Sequence, residues 1–576
     1  MTADGLPSRN QGDIEPIAVV SLRGAARGLV TAAVRVACPA AIAGVAGTAL
    51  WVTVRSLHWP LVHDAPLMHY VAARILDGAV PYRDLFDMNF PGVYLAHLLA
   101  LVLLGGGDGG FRVFDLALLG ATLAGLALAL RPFGPVAITA ATALFWLFHV
   151  AGGAWRAGQR DLILCAPLAW MAAAAVAYAG HPRPRTLGLA GLWLGVAVWV
   201  KPHALLLGPA LVWLAWIGPP GVTRARTLGV LALGLAAPAV PILGWLAATG
   251  GLGAFLDIVG GYLVPLYSRV GRVPLLPTLA GWDVGPSLLV AAGLWTLGGV
   301  VAIGRAGATD HRLLILGAGV VYGVLHFVAQ GKGWAYHLYP LALFAVALGA
   351  AGLGAAVAAR RPVAAAVLVT ALVLIGADLR AKGTLNLDSS WIAESRARAH
   401  AAAAALRPLV AQGGTVQVLD TTAGGIHALY LLRARQPTRF LYDFPFYHDV
   451  DTPYIRRLRA ELLEGLRAAP PAAVVLFAHG WPSGGYERLA AFPDLARWLE
   501  SEYRLSVQGE GYRVYENRRV GGGHPRPGAL GGSDPGRPPA SGYSPASLGG
   551  SRRDHAPRRA SMKADAFATT LGFRGF

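Results

Sequence analysis

Cysteine and charged residues are both scarce in this chain of 576 residues. Two cysteines occur, Cys38 and Cys165, and each falls inside an apolar run, which argues against a disulfide framework or a thiolate metal site. Asp, Glu, Lys and Arg make up 14% of the residues, compared with about 25% in a typical soluble domain. Because so few charges cannot cover the surface of a soluble protein of this size, we exclude that class.

Apolar residues take the place of the missing charges. They make up 55% of the chain, and the mean hydropathy is +0.50, so the sequence predicts a protein that lies largely in lipid. The 49 basic residues outnumber the 31 acidic ones by 49 − 31 = 18, but they stand in small groups between apolar runs. That placement follows the positive-inside rule and provides no basic stripe, so we predict no nucleic-acid partner.

Eleven apolar runs are predicted to span the membrane, for which a helix needs about 20 mostly apolar residues. The first follows a basic segment, which indicates an uncleaved signal anchor with a cytoplasmic N-terminus. A further run, 91–104, is short; if it re-enters or lies in the outer interface, the paired arginines of later loops all face the cytoplasm. The predicted spans are 36–54, 113–130, 134–151, 162–180, 186–200, 203–218, 227–249, 286–304, 313–329, 338–358 and 362–379.

These spans define the predicted domains of an integral protein of the inner (plasma) membrane. Segment 1–35 is cytoplasmic, and 36–380 is an α-helical polytopic module with a first outer loop over 58–90. Strand-like and helical patterns alternate after it, which predicts a C-terminal extracytoplasmic α/β domain over 385–520. The basic tail 521–576 is rich in Gly, Pro and Ser and is predicted to be disordered. The strand-like runs are 415–419, 439–442, 473–477 and 503–507.

The first outer loop is unusually rich in ionisable residues for this protein. Asp64 stands before a proline and the run LMHYVAARIL, which predicts a short amphipathic helix on the membrane surface. Asp64 is then either the N-cap of that helix or a general base whose pKa is raised into a useful range by partial desolvation. Arg83, Asp84 and Asp87 follow in the same loop.

Three further polar segments are predicted on the same side of the membrane. Arg160 and Asp161 end the run WRAGQRD, Lys201 separates two apolar runs, and Lys332 and His337 belong to QGKGWAYH. Asp161 can be a helix cap and Lys201 can extend to the interface, so structural roles stay open for both. The glycines and aromatic residues of QGKGWAYH suit a phosphate and a sugar. The combination favours a substrate that carries a lipid-linked phosphate.

The order of these motifs resembles the GT-C superfamily of polytopic glycosyltransferases. The resemblance is carried by the signal anchor, the early Asp of the first outer loop, GAVPYRDLFDMNFPGVY, the RD at the start of a span, and KGWAYH. It is strongest to bacterial members related to protein O-mannosyltransferases and to the lipid A aminoarabinose transferase. It covers roughly 36–380, and the outer α/β domain is similar to the periplasmic domains that end many such proteins.

The resemblance implies an inverting transfer of a sugar from a polyprenyl-phosphate donor to an envelope acceptor, whether glycan, lipid or protein. It assigns Asp64 as the catalytic base, and Asp161, with Asp84 and Asp87, as candidates for binding the acceptor or a metal. No acidic pair adjoins Asp64, which argues against a tightly bound metal. A divalent metal cofactor stays an open alternative. Asn89 stands where some relatives carry Lys, so another cation must neutralise the phosphate. The candidates for binding the donor phosphate and sugar are Arg83, Arg160, Lys201, Lys332 and His337.

Two other classes of function fit the same composition. A transporter or flippase of a lipid-linked saccharide would place ionisable sites near the bilayer midplane and often shows duplicated halves. Here the polar residues fall mostly at loop boundaries, and no matching halves are seen. An assembly subunit would use the aromatic residues of 442–448 as a contact surface, although these residues also suit the core of the outer domain. The sequence therefore favours the glycosyltransferase.

Overall fold

The computed structural model describes residues 15–217, 223–274, 286–304, 311–387 and 389–519. The tail predicted to be disordered, 521–576, and residues 1–14 of the predicted cytoplasmic segment lie outside the described residues. Within the described ranges a helical module is followed by a small α/β domain. This arrangement confirms the predicted fold class.

Each of the eleven predicted spans contains helix. Long apolar runs become helical in lipid because the backbone must satisfy its own hydrogen bonds there. Pro238 precedes the second of two helices that share the predicted span 227–249, as expected of a residue that cannot donate a backbone hydrogen bond. The helices of the module are α1 (Glu15–Arg55), α2 (Ala65–Leu76), α3 (Pro91–Leu104), α4 (Asp108–Leu130), α5 (Pro135–Val150), α6 (Arg160–Gly180), α7 (Pro184–Val200), α8 (Gly208–Trp216), α9 (Arg224–Ala236), α10 (Ala239–Thr249), α11 (Leu252–Asp257), α12 (Pro286–Gly304), α13 (His311–Gln330), α14 (Tyr339–Ala358) and α15 (Pro362–Leu387).

Seven helical stretches within the described ranges are long and apolar enough to cross a bilayer. Helix α3 is not among them. Its 14 residues extend for about 21 Å at 1.5 Å per residue, which is less than the hydrocarbon thickness of about 30 Å. The seven stretches are Arg27–Arg55, Asp108–Phe133, Arg160–Gly180, Arg224–Thr249, His311–Gln330, Ala335–Ala358 and Pro362–Ala411.

The outer domain is built on a four-stranded sheet with the order β1-β2-β4-β3. Strand β1 is parallel to β2, whereas β4 is antiparallel to both of its neighbours. All residues of β1 and β2 are buried, as expected for strands that are covered on both faces. The elements are α16 (Ser390–Ala411), β1 (Val416–Leu419), α17 (Gly425–Leu432), α18 (Pro453–Ala468), β2 (Ala473–Phe477), α19 (Pro493–Glu502), β3 (Tyr503–Gly509) and β4 (Tyr512–Asn517).

One predicted strand is wrong, and β4 was not predicted. Residues 439–442 form an isolated bridge, in which Phe440 pairs with Phe86 of the first outer loop. The backbone amide of Phe86 donates to the carbonyl of Arg439 over 2.7 Å, and the Arg439 guanidinium donates to the carbonyl of Tyr82 over 3.0 Å. This segment therefore pairs with the helical module and does not form a strand of the sheet, in which β4 lies between β2 and β3.

The helix predicted in the first outer loop is α2, and it is covered by protein; its position at the membrane surface stays a prediction. Residues Ala65 to Ala72 of α2 are all buried, because α2 packs between α3 and α17 of the outer domain. The hydroxyl of Tyr70 donates to the carbonyl of Ala434 over 3.1 Å. The outer domain thus covers the face that the amphipathic pattern left for solvent, and the first loop forms the junction between the two parts of the protein.

Candidate functional site

A cavity with a volume of about 700 Å³, including its open side, lies at this junction, between the first outer loop, the loops before α6 and α14, and the outer domain. Aromatic rings form much of its wall, and its ionisable side chains come from the loops before α2 and α6. The cavity is lined by His63, Asp64, Met88, Trp155, Arg160, Tyr267, Trp334, Ala335, Tyr336, Thr421, Thr422, Tyr442, Phe444 and Trp481.

Asp64 occupies the N-cap position of α2, but its side chain makes no capping hydrogen bond. One carboxylate oxygen lies 3.2 Å from Nδ1 of His63, and the other lies 3.2 Å from the guanidinium of Arg160. His63 has a left-handed backbone with φ of 62°, which a residue with a side chain adopts only at a cost. The carboxylate is thus turned away from its own helix and into the cavity.

The pKa of Asp64 differs from the sequence prediction. Burial raises it, but the nearby His63 and Arg160 outweigh burial, and the pKa of Asp64 lies well below its ordinary value of 3.8. The expected upward shift of the Asp64 pKa by desolvation is therefore wrong. At neutral pH the carboxylate is ionised, which is the form that can accept a proton.

We expect the substitution His63→Asn to move the acid limb of the activity profile to higher pH. Asn tolerates a left-handed backbone, and it removes the imidazole that helps to lower the pKa of Asp64. Because a depressed carboxyl pKa keeps the charged form as the pH falls, activity that depends on Asp64 is lost at a higher pH in the variant than in the wild type. The measurement is kcat/KM against pH for both proteins, because that ratio reports the ionisation of the free enzyme. Coincident acid limbs would contradict the coupling.

Arg160, the first residue of α6, connects Asp64 with two other parts of the chain. Its guanidinium donates to Oδ1 of Asn89 over 2.5 Å and to the hydroxyl of Tyr336 over 3.1 Å. Tyr336 precedes α14, so Arg160 is fixed by both the first outer loop and the KGWAYH segment. Three partners in different directions hold the guanidinium at the cavity wall with its charge facing Asp64.

Asp87 and Asn89 lie behind Arg160. The side-chain amide of Asn89 donates to both oxygens of Asp87, over 2.9 and 3.0 Å, and the hydroxyl of Tyr94 donates to Asp87 over 2.7 Å. Burial raises the pKa of Asp87. Asn89 therefore positions a cation from another loop, and Asp87 positions Asn89.

Asp161 and Lys201 form a second buried cluster beside the cavity. Lys201 Nζ donates to Asp161 over 2.7 Å and to Oε1 of Gln330 over 2.8 Å, and Nε2 of His326 lies 2.8 Å from Asp161. Asp161 is fully buried and is not a free helix cap, and Lys201 is 8% exposed and does not extend to the interface. His337 is also buried, with its ring centroid 6.3 Å from that of His326.

Lys332 is held by carbonyl groups and aromatic rings. Its ammonium donates to the carbonyl of Tyr267 over 2.9 Å and to that of Val270, and it lies 4.6 Å from the Tyr267 ring centroid and 5.4 Å from that of Trp481. Burial lowers the pKa of Lys332 to about 8, with Arg272 adding to the shift. Lys332 thus fixes two aromatic residues of the cavity wall, while its ammonium lies behind them.

Arg83 and Asp84 are not among the residues that line the cavity. They form a surface ion pair over 2.8 Å, and Asp84 also accepts from the backbone amide of Val80 over 2.8 Å. Arg83 donates to the carbonyl of Thr249 over 3.2 Å. These contacts fix the fold of the first loop against α10.

Among the residues that the structure describes, no group of three or more His, Cys, Asp or Glu side chains could hold a metal ion. Asp64 faces His63 and Arg160. Asp161 faces Lys201 and His326. The charge of each carboxylate is thus balanced by the protein's own side chains, which does not fit the divalent cation that the sequence left open.

The outer domain supplies cavity residues that were not predicted as a site. Thr421 and Thr422 follow β1, at the carboxyl end of a parallel strand pair, where ligands commonly bind in α/β sheets; that rule could have found them. Tyr442 and Phe444 were assigned to the core of the outer domain. They are buried, with exposures of 8% and 4%, but they also line the cavity. The outer domain therefore forms one wall of the cavity, opposite the helical module.

A buried network inside the module positions the loop that carries Arg160. Asp115 pairs with Arg112, which is 2% exposed, and lies 3.1 Å from Nε2 of His149. Its second oxygen accepts from the backbone amide of Gly158 over 2.6 Å. His149 in turn lies 2.7 Å from the hydroxyl of Tyr339. Asp115 therefore links helices α4, α5 and α14 to the backbone of Gly158, in the middle of the WRAGQRD loop.

We expect Asp115→Ala to destabilise the protein by about 3–5 kcal/mol, because the Arg112 charge would stay buried without its carboxylate. The thermal unfolding temperature of the purified protein in detergent would fall. The double variant Arg112→Met, Asp115→Leu serves as the control, since it removes both charges and recovers part of the loss. A double variant that is less stable than Asp115→Ala would show that the pair itself, not the isolated charge, is what matters.

No protein-family model matches this sequence, and no curated protein matches it at a significant level. Solved structures do match. ArnT from Cupriavidus metallidurans bound to undecaprenyl phosphate is 15% identical with a TM-score of 0.50, over 82% of this chain and 97% of that chain. Its apo structure is 13% identical with a TM-score of 0.50, over 82% of this chain and 96% of that chain.

The oligosaccharyltransferase AglB from Archaeoglobus fulgidus also matches, with 10% identity and a TM-score of 0.46 over 84% of this chain and 74% of that chain. The match to ArnT covers nearly the whole of that protein and includes both the helical module and the outer domain of this one. This protein therefore shares the fold of the ArnT structures, in agreement with the polytopic fold class predicted from the sequence.

Proposed function

We propose that the protein is a membrane glycosyltransferase that moves a sugar from a polyprenyl-phosphate donor to an acceptor hydroxyl of the cell envelope, with inversion. The observation that carries the proposal is the pairing of Asp64 with Arg160 over 3.2 Å in an aromatic-walled cavity at the edge of the helical module. The fold supports it, because the ArnT structure that it resembles holds undecaprenyl phosphate.

The cavity suits a donor with a charged head and a long apolar tail. Arg160 provides a planar guanidinium that matches the oxygens of a phosphate. Trp334, Tyr336 and Trp481 provide ring faces on which a sugar can stack. The polyprenyl chain would remain among the apolar helices of the module, so that only the phosphate and sugar enter the cavity. We propose that this cavity lies on the extracytoplasmic side.

The transfer would follow a single displacement. The acceptor oxygen forms a bond to the anomeric carbon, while the bond from that carbon to the phosphate oxygen breaks. The proton of the acceptor hydroxyl passes to the Asp64 carboxylate. The electron pair of the broken bond stays on the phosphate, where the Arg160 charge stabilises it. The products are the glycosylated acceptor and polyprenyl phosphate.

Donor binding would also prepare the base. In the structure Arg160 balances Asp64 and lowers its pKa. A bound phosphate would draw the guanidinium toward itself, and the pKa of Asp64 would then rise toward a value better suited to taking a proton. In this way the Asp64–Arg160 ion pair would become two separate catalytic groups when the donor binds.

The test of the proposed function is mass spectrometry of envelope glycans in a deletion strain that is complemented with either the wild type or Asp64→Asn. The wild type is expected to restore a sugar substituent that the deletion removes, and the variant is not. If the lipid-linked sugar crosses the membrane without a covalent product, and Asp64→Asn restores this crossing, the protein is a flippase and the proposal is wrong.

A further inference from the structure

A second large recess lies at the other end of the helices. It is bounded by α1, α5, the end of α14 and the start of α15, and its volume, including its open side, is about 1350 Å³. Three cations line it, Arg35, Arg360 and Arg361, and the rest of its lining is apolar apart from two threonines. We refer to this recess as the arginine groove. No acidic residue is among the residues that line it.

The arginine groove is far from the cavity at Asp64. Arg35 precedes Arg55, at the end of α1, by 20 residues, which is about 30 Å of helix. Arg360 follows Tyr339, at the start of α14, by a similar distance. These spacings equal the thickness of the hydrocarbon core. The groove therefore lies at the opposite membrane surface and takes no part in the site described above.

The backbone supports a specific role for this basic corner. Arg360 is in the left-handed region with φ of 50°, a conformation that is unfavourable for a residue with a side chain and that glycine would adopt more readily. Arginine occupies this position, and the tight turn places Arg360 and Arg361 together at the mouth of the groove. The charged side chain of Arg360 thus occupies a backbone conformation that favours glycine.

We propose that the arginine groove binds an anionic diacyl phospholipid. Its phosphate would lie between Arg35 and the Arg360–Arg361 pair, which provide positive charge; among the residues that the structure describes, no carboxylate lines the groove. An acyl chain would run along the apolar wall that includes Cys38, Ala43 and Ala356. A soluble phosphate would not fill that wall, and a zwitterionic headgroup would gain less from the cations. Basic recesses between helices at the membrane surface bind anionic lipids in this way.

The test compares lipid binding to the full-length protein in detergent by native mass spectrometry. The probes are dioleoylphosphatidylglycerol and dioleoylphosphatidylcholine. We expect the wild type to prefer the anionic lipid by about tenfold or more, because each basic residue at the surface contributes to the attraction. The double variant Arg35→Gln, Arg360→Gln is expected to lose this preference. The matched control is Arg183→Gln, Arg185→Gln, which removes two cations at the start of α7, outside the groove, and is expected to keep the preference.

A third variant separates the apolar wall from the charges. Ala43→Trp fills the groove without changing the net charge and is expected to weaken binding of the anionic lipid. Equal preferences in the groove and control variants would overturn the proposal, since the arginines would then act only through the overall charge of the protein. Displacement of the phosphatidylglycerol by an equal amount of undecaprenyl phosphate would instead assign the groove to a polyprenyl lipid and overturn it as well. Neither result depends on whether the protein transfers sugar.

Discussion

Asp64→Asn should reduce sugar transfer by about 10²–10⁴-fold, the usual contribution of a general base, and leave the protein folded. The amide keeps the shape of the side chain but cannot take the acceptor proton. The Asp64 side chain does not cap α2, but its ion pairs with His63 and Arg160 stabilise the folded protein, so a moderate fall in stability is expected with the fold retained. The measurements are the turnover of purified protein with a polyprenyl-phosphate sugar and its thermal unfolding in the same detergent.

Asp84→Asn is the matched control for this prediction. Asp84 belongs to the same loop and also pairs with an arginine, but it is not among the residues that line the cavity. We expect its turnover to stay near that of the wild type. Undiminished turnover in Asp64→Asn would remove Asp64 from the role of base, and an equal loss in both variants would point to the fold of the loop instead of the chemistry.

Arg160→Ala should lower kcat by about 10²–10³-fold, the usual effect of losing one donor that stabilises a developing negative charge. The apparent KM for the donor should rise as well, since the same guanidinium binds the phosphate before the reaction. Arg160→Lys keeps the charge but loses the planar fork that reaches both Asn89 and Tyr336. Its activity is therefore expected to lie between those of the wild type and the Ala variant.

Arg83→Ala is the control for Arg160, because Arg83 is exposed and its guanidinium pairs with Asp84. Turnover and donor KM are expected to stay close to the wild type. The kinetic comparison is made with the same donor for all three variants. Loss of activity in Arg83→Ala that equals the loss in Arg160→Ala would contradict the assignment of the phosphate to Arg160.

Most of the helical architecture could be predicted from the sequence alone. Apolar runs such as 162–180 and 313–329 became helices with bounds close to those predicted, since lipid leaves an apolar chain few other ways to satisfy its backbone. The motifs also indicated the correct loops. Asp64, Arg160 and the residues before α14 do meet, although they lie more than 90 residues apart from one another in the chain.

The roles of individual cations could not be predicted in the same way. Arg83 and Arg160 both adjoin an aspartate in a polar loop, yet the first lies on the surface and the second lines the cavity. The glycines and aromatic residues near Lys332 in the sequence suit a phosphate site. In the structure, however, its ammonium is held by the carbonyl and the ring of Tyr267. Which cation faces the cavity depends on the packing of loops that are distant in sequence.

Local composition thus determined that this chain is a polytopic membrane protein with a C-terminal α/β domain, because hydropathy and periodicity act over one helix or strand at a time. The tertiary structure decided what the ionisable side chains do. It brought Asn89 to Arg160, Arg160 to Asp64, and Tyr442 of the outer domain over all of them. The pKa of a buried carboxylate is set by the charges a few ångströms away, and only the folded chain determines which charges those are.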